Sequence, residues 1–119
     1  MRREVSLFIE DILESIQNIE SFSINLSKEE LSTNNLHQSA IIRQIEIIGE
    51  AVKNIPNSFR KKYDEIPWNK IAGMRDIIIH AYFKVDLDIV WSIIKDDLPI
   101  LKKQIQKVKD DLEKKGKKR

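Results

Sequence analysis

Residues 36–54 read LHQSAIIRQIEIIGEAVKN, and their apolar spacing decides the architecture. Ile41, Ile45, Ile48 and Val52 recur at helical intervals, and Ile42 and Ile47 widen the stripe. A helix apolar on more than one side belongs in the middle of a bundle, because each apolar face needs a neighbour to cover it. Pro56 ends the run, having no N–H to donate to the next helical turn. Gly49 falls inside the run and costs roughly 1 kcal/mol against alanine. That cost predicts close approach of another backbone at this position. Arg43, Glu46 and Glu50 share the polar face.

The flanks follow the same period. Val5, Phe8, Ile9, Ile12, Leu13, Ile16 and Ile19, with acidic and amide residues between them, predict a first amphipathic helix. SFSINLSKEELSTNN (21–35) interrupts the pattern, and Ser27 followed by Glu30 has the form of a capping box opening a short helical turn. NSFRKKYDEI (57–66) is a connector with one helical turn. Pro67 suits the first turn of a third helix, PWNKIAGMRDIIIHAYF (67–83), whose buried stripe is Ile71, Met74, Ile78 and Ala81, continuing to Val85. A last helix opens at Asp86, a good cap residue, and Pro99 within it predicts a kink or a restart. No strand-like alternation, repeat or linker is visible. The expected fold is all-α, a bundle of four or five helices.

The chain has 119 residues, of which 41% are hydrophobic and 34% charged, with three glycines and three prolines. This is a helical profile rich in solvated charge, and its length predicts a single domain over 1–114 followed by a basic tail, 115–119. A domain of this size buries about two-thirds of its unfolded surface, enough for one core but not for a deep private cleft. An active site is therefore expected on a shallow surface or between subunits. The absence of cysteine excludes disulfides, thiolate metal sites and cysteine nucleophiles. The N-terminus lacks the form of a signal peptide, and no apolar run approaches the roughly 20 residues of a membrane span. A cytoplasmic protein is expected. The net charge is only +2, with lysines concentrated in KKQIQKVKDDLEKKGKKR (102–119). That stretch reads either as a solvated helix face or as a support for RNA phosphates.

With no cysteine and only His37 and His80, a zinc site is not expected. His37 reads as an exposed residue near a helix start. The carboxylate pairs Glu46 with Glu50 and Asp96 with Asp97 fall on faces expected to be solvated, and no glycine-rich phosphate loop is present. The remaining constellation is Arg75, Asp76, His80 and Tyr82. On a continuous helix turning about 100° per residue, Arg75 and Tyr82 share a face, as do Asp76 and His80. Arginine can fork a phosphate and stabilise the charge of a pentavalent transition state. Histidine can take the proton of a ribose 2′-hydroxyl or supply one to a leaving 5′-oxygen. Asp76 can orient the imidazole, and Tyr82 can donate a hydrogen bond or stack on a base. An arginine, a histidine and a tyrosine on one helix are also common in proteins without catalysis. Residue types alone therefore leave catalysis, partner binding and plain surface chemistry open.

IPWNKIAGMRDIIIHAYF (66–83), with IEIIGEAVKNIP upstream and VDLDIVWSIIKDDLPILKKQI downstream, resembles the HepT-like branch of the HEPN superfamily. The likeness extends to the opening RREVSLFIEDILESI. Arg75, His80 and Tyr82 match its R-x-x-x-x-H-x-Y signature within the context PW-x-x-IAGMRD. The resemblance implies a homodimeric helical bundle in which two Arg/His motifs meet near the twofold axis. It implies a toxin of a type VII-like toxin–antitoxin pair that cuts RNA without a metal or other cofactor, with Arg75 and His80 catalytic and Asp76 and Tyr82 supporting. It also implies an MntA-like nucleotidyltransferase antitoxin that transfers AMP from ATP to Tyr82. Asp76 departs from the wider superfamily, where asparagine is common. Some HEPN relatives are catalytically silent, so a non-catalytic module that docks and regulates a nucleotidyltransferase is the alternative.

Overall fold

The long helices form where the apolar period is unbroken. In the computed structural model, which describes residues 4–80 and 84–117, α1 spans Val5–Ser23 and α3 spans Asn35–Lys53. Ile9, Ile12, Ile16 and Ile19 of α1 and Ile41, Ile45, Ile48 and Val52 of α3 are all fully buried. These two helices pack on each other, and α1 also packs against α8, Leu98–Lys117, through Ile105 and Val108. Helix α3 therefore lies in the middle of the bundle, covered by α1 on one side and by two short helices on another.

Between α1 and α3, α2 (Lys28–Thr33) opens on the predicted capping box. The Glu30 N–H donates to Ser27 Oγ at 3.1 Å, and the Ser27 N–H donates to Glu30 Oε1 at 3.3 Å. Each side chain thus satisfies a backbone donor that the helix start leaves without a partner. After α3, the connector forms α4 (Asn57–Arg60) and a 3₁₀ turn (Lys61–Tyr63). Arg60 ties this connector to the end of α3 by donating to Val52 O at 2.6 Å and to Ile55 O at 3.0 Å.

Over its described residues, 67–80, the single third helix predicted over 67–83 is replaced by three elements. Helix α5 (Trp68–Ala72) closes at Gly73, and α6 (Met74–Ile78) begins directly after it. The chain then leaves the helix into strand β1 (Ile79–His80), which pairs antiparallel with β2 (Lys84–Val85). Gly73 marks the first break, at φ −98° and ψ 7°, where its N–H still closes onto α5 and its carbonyl already accepts from Asp76 and Ile77. The second break is held from outside. The pairing registers Ile79 with Val85 and His80 with Lys84, and the Asp86 N–H donates to Ile78 O. Strand pairing just beyond α6 has thus overridden local helical periodicity.

Gly49 shows the predicted close approach. A Cβ there would lie 3.2 Å from Ala72 O and 3.6 Å from Ile71 O. The C-terminal end of α5 rests on α3 at this point.

Helix α7 (Leu87–Ser92) is capped by Asp86, whose carboxylate accepts from the Ile89 N–H at 3.1 Å. It runs through a π turn (Ile93–Asp97) into α8, so the irregularity predicted at Pro99 takes the form of a π turn just before it. The Leu98 N–H reaches back five residues to Ile93 O. Pro99 has no N–H for the preceding turn, and widening that turn relieves the clash its ring would otherwise make. Helix α8 continues to Lys117, three residues into the stretch predicted as a tail. Among the described residues, no helix is long and apolar enough to cross a membrane.

Candidate active site

The segment carrying the predicted constellation is held in place by Trp68. Its indole ring is buried, and Nε1–H donates to Arg60 O at 3.2 Å and to Tyr63 O at 3.0 Å. Ile71, Met74 and Ile78 enter the core from α5 and α6. The Pro-Trp pair that precedes the motif is thus scaffold, fixing where α6 leaves the core.

On α6, Met74 and Ile78 point inward while Arg75, Asp76 and Ile77 are exposed. The Arg75 side chain does not hang free. Its Nε lies 3.3 Å from Glu46 Oε1 on the neighbouring α3. The other oxygen of Glu46 lies 3.6 Å from Arg43 Nη1, and Arg43 Nη1 also lies 3.8 Å from Glu50 Oε1. One half-buried carboxylate is therefore divided between two arginines on two helices. The sequence places Arg43, Glu46 and Glu50 on one polar face but does not connect that face to Arg75. The link depends on how α3 and α6 cross.

His80 is located by its backbone at the end of β1, off the helix. The predicted helical alignment of Asp76 with His80, four residues apart, therefore does not apply. Tyr82 and Ala81 lie outside the described residues. Helix α6 and β1 set Arg75 and Asp76 one short element before His80 in the chain, and Arg75 reaches Glu46 on α3.

One other reading changes. His37, expected to be exposed, is half-buried near the start of α3. Its backbone N–H is accepted by Asn34 Oδ1 at 3.0 Å, and its Nδ1 is buried with no hydrogen-bond partner among the described residues. The lysines of α8 do not stand alone either. Lys107, Lys114 and Lys115 face Lys62 of the 3₁₀ turn across a shallow concavity of about 580 Å³. Tyr63 sits in that concavity and donates its hydroxyl to Asp111 Oδ2 at 3.0 Å. Burial, reinforced by this bond and by the charges of Asp111 and Glu65, raises the Tyr63 phenol above its ordinary value. Among the described residues, no three His, Cys, Asp or Glu side chains gather as a metal cradle.

Residues 12–108 match the family model described as ribonuclease HepT-like. A protein of Thermococcus cleftensis named probable ribonuclease HepT is 45% identical over 92% of this chain and 99% of its own length. A longer protein of Methanocaldococcus jannaschii, named for a gamma-glutamylcyclotransferase and a provisionally assigned RNase, is 46% identical over 96% of this chain. This chain spans only 51% of that relative. A provisionally assigned RNase of Caldanaerobacter subterraneus is 40% identical over 85% of this chain and 90% of its own length. No solved structure matches. The family match covers most of the chain, including α3, α5, α6 and the Arg75–His80 segment, and on this ground the chain belongs to the ribonuclease HepT-like family.

Proposed function

We propose that this chain is a toxin-type HepT ribonuclease that cleaves RNA without a metal. The observation that carries the reading is Arg75, which projects from α6, anchored by Met74 and Ile78, and stands four residues before Ile79, where the strand that ends in His80 begins. The 2′-hydroxyl of the substrate attacks the adjacent phosphorus, and the bond from phosphorus to the 5′-oxygen breaks. A 2′,3′-cyclic phosphate and a 5′-hydroxyl remain. Arg75 holds the scissile phosphate and the charge that builds on it, and His80 moves the proton. Asp76 supports His80, and Tyr82 contacts substrate.

The shallow surface around α6 fits a site completed by a second copy, because an isologous dimer supplies each group twice. RNA phosphates outside the scissile position have a partner in the lysine-lined concavity of Lys62, Lys107, Lys114 and Lys115. In this reading the toxin works in the cytoplasm beside an MntA-like nucleotidyltransferase antitoxin. The Tyr82 oxygen attacks the α-phosphorus of ATP, pyrophosphate leaves, and the bound AMP sets bulk and negative charge beside Arg75 and His80.

Cleavage of an RNA oligonucleotide in the presence of a chelator tests the reading. Arg75→Ala and His80→Ala are each expected to lower the rate about 10²- to 10⁴-fold, with cyclic-phosphate ends on the wild-type products. Equal cleavage by His80→Ala defeats the mechanism. If both variants also leave complex formation with the nucleotidyltransferase and any cellular effect intact, the chain is instead a docking module.

A further inference from the structure

We propose that Glu46 is a positioning residue for Arg75, a role that rests on the ribonuclease reading. A guanidinium is planar and presents its N–H groups in a fixed fork. With Nε placed 3.3 Å from Glu46 Oε1, the plane of Arg75 is set from its inner edge. The outer Nη1/Nη2 edge remains for the two oxygens of a phosphate.

Glu46 is suited to this work by its place. It stands on α3, the most firmly packed helix, between the fully buried Ile45 and Ile48, and its own side chain is 26% exposed. Arg75, by contrast, is carried on a five-residue helix with its side chain 44% exposed. A long side chain on so short a helix would sample many rotamers, and the tether confines it at the cost of few contacts. Arg43 completes the arrangement by facing the second oxygen of Glu46 at 3.6 Å. The carboxylate is shared, so its charge does not fall on Arg75 alone. A partly exposed ion pair of this kind adds about 0–1 kcal/mol to stability, which assigns this one to geometry and not to folding.

The test uses the full chain and a short oligoribonucleotide. Glu46→Ala is expected to lower kcat about 10- to 100-fold with little change in KM or melting temperature, as loss of orientation requires. Glu46→Gln is expected to restore part of the rate, because its amide oxygen still offers an acceptor beside Nε. In an Arg75→Ala background, Glu46→Ala is expected to change the rate less than about twofold, since a residue acting through Arg75 has nothing left to position. A wild-type rate in Glu46→Ala, an increase, or the same loss in both backgrounds overturns the assignment. A second readout does not depend on activity. The Arg75 Nε–H resonance is expected to be protected from exchange in the wild type and to lose protection in Glu46→Ala. If the wild type fails to cut RNA, the ribonuclease reading falls. The resonance then decides the contact alone: a change upholds the positioning and an unchanged signal overturns it.

Discussion

Helix α3 and the segment 67–85 meet at Gly49, yet they are built on opposite plans. Helix α3 runs for 19 residues on local periodicity, with Ile41, Ile45, Ile48 and Val52 fully buried. The segment 67–85 holds no element longer than five residues among those described, and it draws its shape from contacts outside itself. Trp68 hangs on carbonyls of the connector, Ala72 rests on Gly49, Ile78 accepts from Asp86, and Arg75 leans on Glu46. One region supplies stability and the other carries the polar groups. A short, externally braced segment can place an arginine at a surface where a long continuous helix would fix its direction by its own pitch.

The largest test of this division is Ile48→Ala. Deleting a fully buried isoleucine side chain is expected to cost about 2–5 kcal/mol by denaturant unfolding, while cleavage well below the new melting temperature stays near wild type. Comparable loss of cleavage in the folded variant would break the division. Gly49→Ala probes the point where the regions touch. Alanine gains up to about 1 kcal/mol in helix propensity, but its Cβ must meet Ala72 O at 3.2 Å, which is backbone and yields little. A net loss of about 1 kcal/mol is expected, together with reduced cleavage, because the displaced strand of chain leads directly to Gly73 and Arg75.

The two helix caps sharpen the comparison at smaller scale. Asp86→Ala and Ser27→Ala should each cost about 1 kcal/mol. Only the first adjoins the β1–β2 pairing, so cleavage is expected to fall for Asp86→Ala and to hold for Ser27→Ala. The smallest effect concerns pH. The Tyr63 phenol is raised above 10.0 in the folded chain, so its contribution is fully present below pH 10 and fades as pH climbs through the folded value. Urea midpoints should decline above about pH 10, and Tyr63→Phe should flatten that part of the decline.

What was legible in the sequence follows the same line. The spans of α1 and α3, the Ser27–Glu30 box, the Asp86 cap and the crowding at Gly49 are local or periodic features, and residue order alone reveals them. The break at Gly73 and the exit from helix at Ile79 were not legible. Apolar spacing continues through both, and the pairing that ends the helix involves Lys84 and Val85. The half-burial of His37 has no local signal, because burial near a helix start depends on what packs over it. The Glu46–Arg75 contact was hidden for a related reason: its partners lie 29 positions apart and meet only when α3 and α6 cross.

The π turn at Ile93–Asp97 has a consequence for how length can change in this chain. A π turn holds one more residue than the α turn it replaces, so it advances the phase of everything beyond it by about 100°. The apolar stripe of α7 and that of α8 are thus offset by one residue step, and both still face the core. Deleting one residue within 93–97 would heal the turn into ordinary helix while bringing the ring of Pro99 against the carbonyl four residues before it. Lengthening α8 after Leu112 leaves that phase untouched, together with the Tyr63–Asp111 bond. The residue count between Val90 and Leu101 is therefore fixed by rotation.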